Sequence, residues 1–144
     1  MIITAHRLRV VEAALFLSFL PIAQLFVPWR YLLKLGGARI ESPPAHTAPA
    51  CDPTARSVGW AVSVAARRLP WRPLCLSQAT VAALMLRLRG RRSVLCLGVR
   101  DGGDGLSAHA WLLMRGEGGG VVSGGEGIGN ISPLRQLTKE SGNA

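Results

Sequence analysis

Cys75 and His109 are the two residues whose types and spacing indicate a catalytic pair. A cysteine nucleophile acts as its thiolate, and the N-terminus of a helix favours that anion through its N–H groups and its dipole. Cys75 lies at the predicted start of a helix, two residues after Pro73, and proline is well tolerated in a first helical turn. Because an imidazole within hydrogen-bond reach takes the thiol proton, the pair predicts acyl-transfer chemistry.

Both residues also have a purely structural interpretation, since many cysteines are small buried hydrophobic residues. Cys96 lies between Leu95 and Leu97 in an apolar run, so we expect it in the core. Cys51 lies in a Pro-rich segment and has no predicted role. Three widely spaced cysteines and three scattered histidines predict neither a disulfide framework nor a zinc site. We therefore expect reduced thiols in the cytoplasm.

Apolar residues near a 3.6-residue period predict three helical segments: Arg7 to Leu35, about Thr54 to Arg68, and Leu74 to Arg89. The first should break near Pro21 or Pro28, because proline lacks the N–H that a helix interior needs. Asp52-Pro53 is the alternative start of the second, and Gly90 ends the third.

Short apolar runs bounded by turns predict strands, namely Ser93 to Val99, Leu106 to Met114 and a third from Val121 to Ser123. The Gly-rich tail after them is expected to contain a short helical turn near Pro133 to Leu137. Helices followed by an antiparallel meander indicate an α+β fold. The predicted organisation is an N-terminal apolar helical segment (1–37), a Pro-rich linker (38–53) and a catalytic core (54–144).

The apolar segment from Ala13 to Trp29 is flanked by cations that include Arg7 and Lys34. A spanning helix needs roughly 20 predominantly apolar residues, and here prolines and polar side chains interrupt the run. Two interpretations stay open: a helix pair packed on the domain, and a peripheral membrane contact through residues 8–35.

The chain carries 17 Lys and Arg against 8 Asp and Glu, for a net charge of +9. This surplus fits an acidic peptide, a membrane surface or nucleic acid as partner, and it equally fits the codon usage of a GC-rich genome. Because the arginines are not interleaved with aromatics and no binding motif is present, we do not expect a nucleic-acid partner. A membrane-associated basic protein without catalysis remains an alternative.

Several blocks of the sequence together resemble the lasso-peptide biosynthesis B proteins of the transglutaminase-like superfamily. The most specific are Leu69 to Ala79 around Cys75, and Ala108 to Trp111 around His109. Weaker similarities link the two blocks and extend towards both ends: Leu88 to Gly90, Leu97 to Val99, Glu12 to Ala14, Leu35-Gly36, Val122 to Gly125 and Pro133-Leu134. The resemblance implies a papain/transglutaminase-like fold, with the helix that carries Cys75 packed against the strand that carries His109.

The resemblance also implies a leader peptidase in which Cys75 attacks the scissile carbonyl of a lasso-peptide precursor and His109 takes the thiol proton. The expected partners are the precursor's leader peptide, a separate leader-recognition protein and an asparagine-synthetase-like cyclase. No recognition domain fits within this length, so the split form of the system is expected. The chemistry requires no metal or organic cofactor. A transglutaminase or acyltransferase using the same pair is the alternative activity.

The third catalytic residue is the point where the sequence departs from the superfamily pattern. That pattern has an acid on the strand after the histidine, where this chain has Ser123 and Gly124. Glu126, Ser123, a backbone carbonyl or no group at all can fill the role, and we favour Glu126. Gln78 either positions substrate or is an ordinary helix residue, and Trp111 is expected to be a core aromatic beside the site.

Overall fold

The computed structural model describes residues 2–35, 39–40, 52–101, 105–114, 120–123 and 131–133. Helices come first along the chain, followed by most of the sheet. The helices are α1 (Ile2–Phe26), α2 (Trp29–Leu35), α3 (Pro53–Arg68) and α4 (Cys75–Leu88). The strands are β1 (Arg39–Ile40), β2 (Ser93–Asp101), β3 (Leu106–Met114), β4 (Val121–Ser123) and β5 (Ile131–Pro133).

The N-terminal helical segment breaks at Val27-Pro28 and not at Pro21, which lies inside α1 on an exposed surface. A single proline removes one backbone hydrogen bond, and packing of the helix on the domain can offset that loss. At the break, Val27 still donates to Ala23, and Tyr31 donates to Pro28 as α2 begins.

The two central helices begin and end where their capping residues predict. Asp52 caps α3 by accepting hydrogen bonds from the N–H groups of Thr54 and Ala55 at 2.7 and 3.2 Å. Gly90, in the left-handed region with φ +71°, ends the turn after α4 and leads into β2. The predicted boundaries of α3 and α4 are correct to within one residue.

The sheet has the order β1-β2-β3-β4, with β5 also paired to β2. The predicted antiparallel meander is formed by β2, β3 and β4, and β2 runs two residues further than expected, to Asp101. Two strands differ from expectation. β1 lies within the segment predicted as a linker and pairs in parallel with Val94 and Leu95, so the sheet is mixed. β5 occupies residues where a helical turn was expected to begin, and residues 134–137 lie outside the described part.

One face of the sheet packs on the helices and forms the main core. Leu95, Ala110 and Leu112 point towards this face and pack with α1, α3 and α4. α3 approaches β4 closely at Gly59, where any Cβ atom would overlap the backbone carbonyl of Val122. Glycine is therefore required at that crossing. The fold is α+β, as the element order predicts.

α1 is long and apolar enough, over Ile3–Phe26, to cross a membrane. Signal sequences, membrane anchors and core helices of soluble domains share these properties, so length and composition do not choose among them. In the structure the helix contributes Ala13, Leu17 and Leu20 to the main core.

Candidate active site

Cys75 is the first residue of α4, and its reduced thiol is half-buried at the edge of the main core. The preceding residue, Leu74, occupies the N-cap position and provides no side-chain hydrogen bond to the helix. The first intrahelical bond of α4 runs from the Gln78 N–H to the Leu74 carbonyl. The N–H groups of the first turn, to which Cys75 belongs, therefore have no intrahelical acceptor.

The loop before Cys75 is held in place by the helix that it precedes. The amide nitrogen Nε2 of Gln78 donates to the carbonyl of Pro73 at 2.9 Å. Arg72 has φ +42°, a left-handed conformation that costs a non-glycine residue free energy. In the same loop, Trp71 and Leu74 are 51% and 75% exposed. The sequence did not reveal these features, since nothing in it distinguishes Gln78 from a surface residue or marks an arginine as left-handed.

His109 lies on β3, opposite Gly98 of β2, and is half-buried. Its ring stacks on the indole of Trp111 with the centroids 6.0 Å apart and the planes at 24°. Trp111 itself is only 1% exposed. The prediction that Trp111 is a core aromatic beside His109 therefore agrees with the structure, and the indole limits the orientations open to the imidazole.

The lengths of the elements put Cys75 and the β2 partner of His109 at comparable distances along the chain path from the connection between α4 and β2. α4 has 14 residues, so Cys75 lies about 21 Å from the end of the helix. Only four residues connect α4 to β2, so the start of β2 lies near the end of the helix. Gly98, the partner of His109, lies five residues after Ser93, or about 17 Å along β2. Among the strands, α4 contacts mainly β3, and it packs to a similar extent on α3 and α1.

The pleat of β3 separates its residues between the two faces of the sheet. Ala110 and Leu112 pack with the helices, and Cys75 contacts the same core. Trp111 packs with Val94 and Cys96 in a second, smaller cluster on the opposite face. Because side chains alternate along a strand, the side chain of His109 projects from the same face of the sheet as that of Trp111. The structure therefore does not place the His109 ring on the face of the sheet that Cys75 contacts, and the predicted pair is not brought together by the pleat of β3.

The candidates for a third catalytic group fall in different places. Glu126 lies outside the described residues. Ser123 is opposite Leu112 on β3, three residues or about 10 Å along the strand from His109. The pairing register therefore does not make Ser123 a neighbour of the imidazole. Cys51 also lies outside the described residues, and Cys96 is fully buried in β2, as predicted for a core residue.

Cys75 combines a partly buried thiol with an uncapped helix start. The N-terminus of a helix generally favours negative charge through its dipole and its free N–H groups. Among the described residues, no group of three or more His, Cys, Asp or Glu side chains is arranged to hold a metal ion. The arrangement supports covalent catalysis by cysteine.

An α+β domain with a cysteine at the start of a helix packed on an antiparallel meander belongs to the class of papain- and transglutaminase-like folds. A family model described as the transglutaminase-like superfamily matches residues 20–136. The chain belongs to that superfamily, which includes cysteine peptidases and acyltransferases. No curated protein and no solved structure gives a significant match.

Proposed function

We propose that the protein is a cysteine peptidase that removes the leader peptide from a lasso-peptide precursor. The observation that carries the proposal is the partly buried thiol of Cys75 on the first residue of α4, in a chain of the transglutaminase-like superfamily. The blocks around Cys75 and His109 that resemble lasso-peptide B proteins supply the substrate class. A leader-recognition protein and a macrolactam cyclase are the proposed partners.

In the proposed mechanism, His109 takes the thiol proton and the sulfur of Cys75 attacks the scissile carbonyl carbon. The N–H groups of the first turn of α4 stabilise the oxyanion. When the C–N bond breaks, the imidazolium protonates the leaving amine, which becomes the new N-terminus of the core peptide. Water then attacks the thioester, the C–S bond breaks, and the thiol and the leader's carboxylate are released.

The position of His109 sets a requirement on this mechanism. Its imidazole has to leave the stack on Trp111 and come within hydrogen-bond reach of the sulfur when substrate is bound. Catalytic hydrogen bonds are often long in a free enzyme and shorten in the complex with substrate. Glu126 is the proposed orienting acid, and Glu126→Gln then lowers the rate less than loss of His109.

The decisive experiment incubates the full chain with a cognate precursor and its recognition protein, and follows cleavage by mass spectrometry. Cys75→Ala and His109→Ala should each lower the cleavage rate at least about 1000-fold, because removing either member of a catalytic pair abolishes most of the rate acceleration that the pair provides. The matched controls are Cys96→Ala and His6→Ala, which remove the same side-chain types away from the site and should retain cleavage. Cleavage that survives Cys75→Ala would refute the mechanism.

Two further experiments test whether His109 acts as the base and whether water or an amine accepts the acyl group. Alkylation of Cys75 by iodoacetamide at neutral pH should slow in His109→Ala but not in His6→Ala, if the imidazole activates the sulfur. Adding a primary amine tests the alternative acceptor. An amide product in place of the free leader carboxylate would identify an acyltransferase, since both activities share the acyl-enzyme.

A further inference from the structure

α1 has two apolar faces, and only one of them packs on the domain. Ala13, Leu17 and Leu20 are buried in the main core. On the opposite face lies a second row, which we call the outer stripe. Its members are 53% to 82% exposed and recur at intervals of three and four residues: Leu8, Val11, Leu15, Phe19, Ile22 and Phe26. The outer stripe runs about 27 Å along the helix and points away from the protein.

The short helix α2, which follows α1 directly along the chain, also exposes apolar and cationic side chains. Trp29, Tyr31 and Leu35 are exposed on α2. Tryptophan and tyrosine favour the boundary between hydrocarbon and headgroups, because each combines an apolar ring with a polar tip. Exposed Arg30 and Lys34 lie on the same short helix.

The acidic side chain of this helical segment already forms an ion pair with an arginine of the domain. Glu12 is the one acidic residue of α1 and α2. Its carboxylate accepts hydrogen bonds from both terminal nitrogens of the Arg89 guanidinium, at 2.6 and 3.1 Å. Exposed Arg7 adds a cation near the start of the outer stripe. An apolar stripe bordered by cations complements anionic headgroups above an acyl layer. A second copy of the same face would place like charges opposite each other.

The contacts of α1 with the domain indicate how the helix lies. Arg9 donates to Ser57 of α3, the ring of His6 meets Trp60 edge-on at 5.4 Å, and Glu12 binds Arg89 after α4. A helix that crosses the bilayer would have to give up these contacts and expose the core around Leu17. A helix that keeps these contacts can meet a membrane only along its exposed side.

We propose that the outer stripe and α2 dock the domain on a bilayer that contains anionic phospholipid, with α1 lying in the interface. This surface is separate from the thiol site and does not depend on the proposed peptidase activity. Its occupant is a lipid surface, recognised by apolar insertion and by the cations Arg7, Arg30 and Lys34.

The test is cosedimentation of the full chain with vesicles of phosphatidylcholine alone or mixed with phosphatidylglycerol. We expect binding to the mixed vesicles that weakens with salt and is released by an alkaline carbonate wash. Leu15→Glu and Phe19→Glu should each weaken binding about tenfold or more, because a charge replaces an inserted apolar side chain. Gln24→Glu is the matched control, since it adds the same charge to an exposed site off the outer stripe and should have little effect.

A second variant probes the charge without touching the packing of α1. Arg30→Gln with Lys34→Gln should lower affinity for mixed vesicles several-fold and leave binding to phosphatidylcholine unchanged. Circular dichroism and thermal melting check that each variant folds. The proposal is overturned if the wild type binds neither vesicle, if Phe19→Glu binds as well as Gln24→Glu, or if carbonate fails to release the protein. A wild-type dimer that Phe19→Glu dissociates, without vesicle binding, would assign the surface to a second copy.

Discussion

The starts of α3 and α4 are built in opposite ways within one domain. α3 begins with Asp52, whose carboxylate accepts two N–H groups of the first turn and also pairs with Arg91 at 3.1 Å. α4 begins after Leu74, whose side chain supplies no acceptor, and its first residue is Cys75. A capped start contributes to folding, whereas an uncapped start leaves the N–H donors and the helix dipole available to an anion. The contrast links the first start to stability and the second to the proposed chemistry.

Exchanging the two caps should give the largest effect. Leu74→Asp places a carboxylate at the α4 start, where it competes for the N–H groups and repels the thiolate. We expect cleavage of the precursor to fall about 100-fold or more, a loss typical of removing an oxyanion donor, while thermal stability holds or rises. The measurements are kcat/KM by mass spectrometry and a melting curve.

Leu74→Asn and Asp52→Leu complete the exchange. Asparagine caps without a charge, so it should lose less activity than aspartate at the same position. Asp52→Leu should destabilise the fold by about 1 kcal/mol or more and leave the chemical step unchanged. Full activity in Leu74→Asp would show that the α4 start takes no part in catalysis.

The body of α3 offers the next largest effect, and it should appear only in stability. Gly59→Ala pushes a methyl group into the backbone carbonyl of Val122, which cannot rotate away as a flexible side chain can. We expect a loss of about 2–4 kcal/mol in the free energy of unfolding, because α3 and β4 must separate. Urea denaturation measures it.

Ser63→Ala is the matched control for Gly59→Ala, because it makes a change on an exposed position of the same helix. Alanine favours helix there, so stability should change by no more than about 0.5 kcal/mol. Equal stabilities of the two variants would mean that α3 does not approach β4 as closely as the structure has it.

The helical elements could be predicted because their signals are local. Asp52, Pro53 and Gly90 mark ends through their own backbone preferences, and the bounds of α3 and the end of α4 follow from them. β1 and β5 escaped prediction because a two- or three-residue strand exists only through its pairing with β2, a contact distant in sequence.

The helix start that carries Cys75 was predictable from the sequence, whereas the geometry around the candidate site residues was not. The helix start at Cys75 follows from Pro73 and the apolar period after it. Which face of β3 His109 occupies follows from the pairing with β2, since a shift of one residue would reverse it. The role of Gln78 depends on a side-chain contact with Pro73, which no local pattern encodes.

Removing the hydrogen bond from Gln78 to Pro73 tests the α4 start further, and its effect on stability should be smaller than that of Gly59→Ala. Gln78→Glu has the same shape but replaces the donor by an acceptor, so the loop before Cys75 loses its tie to α4. We expect a loss of about 0.5–1.5 kcal/mol in stability, together with a several-fold change in the iodoacetamide rate of Cys75. Gln24→Glu, an exposed change on α1, should alter neither quantity.

The smallest effect concerns the charge on the α3 cap. Burial acts to raise the pKa of Asp52, but hydrogen bonds from Ala55 and Thr54 and the charge of Arg91 outweigh it, so the pKa lies below its ordinary value of 3.8. A lowered folded-state pKa means that the charge stabilises the fold above the unfolded-state pKa and stops doing so as pH falls through the folded-state value. Asp52→Asn keeps the cap and removes the charge, so it should melt slightly below wild type at pH 7, and the difference should vanish at pH values well under 3.8. A difference that persists unchanged in strong acid would mean that the carboxylate contributes through its shape, and the α3 start would then resemble the neutral α4 start more than the structure indicates.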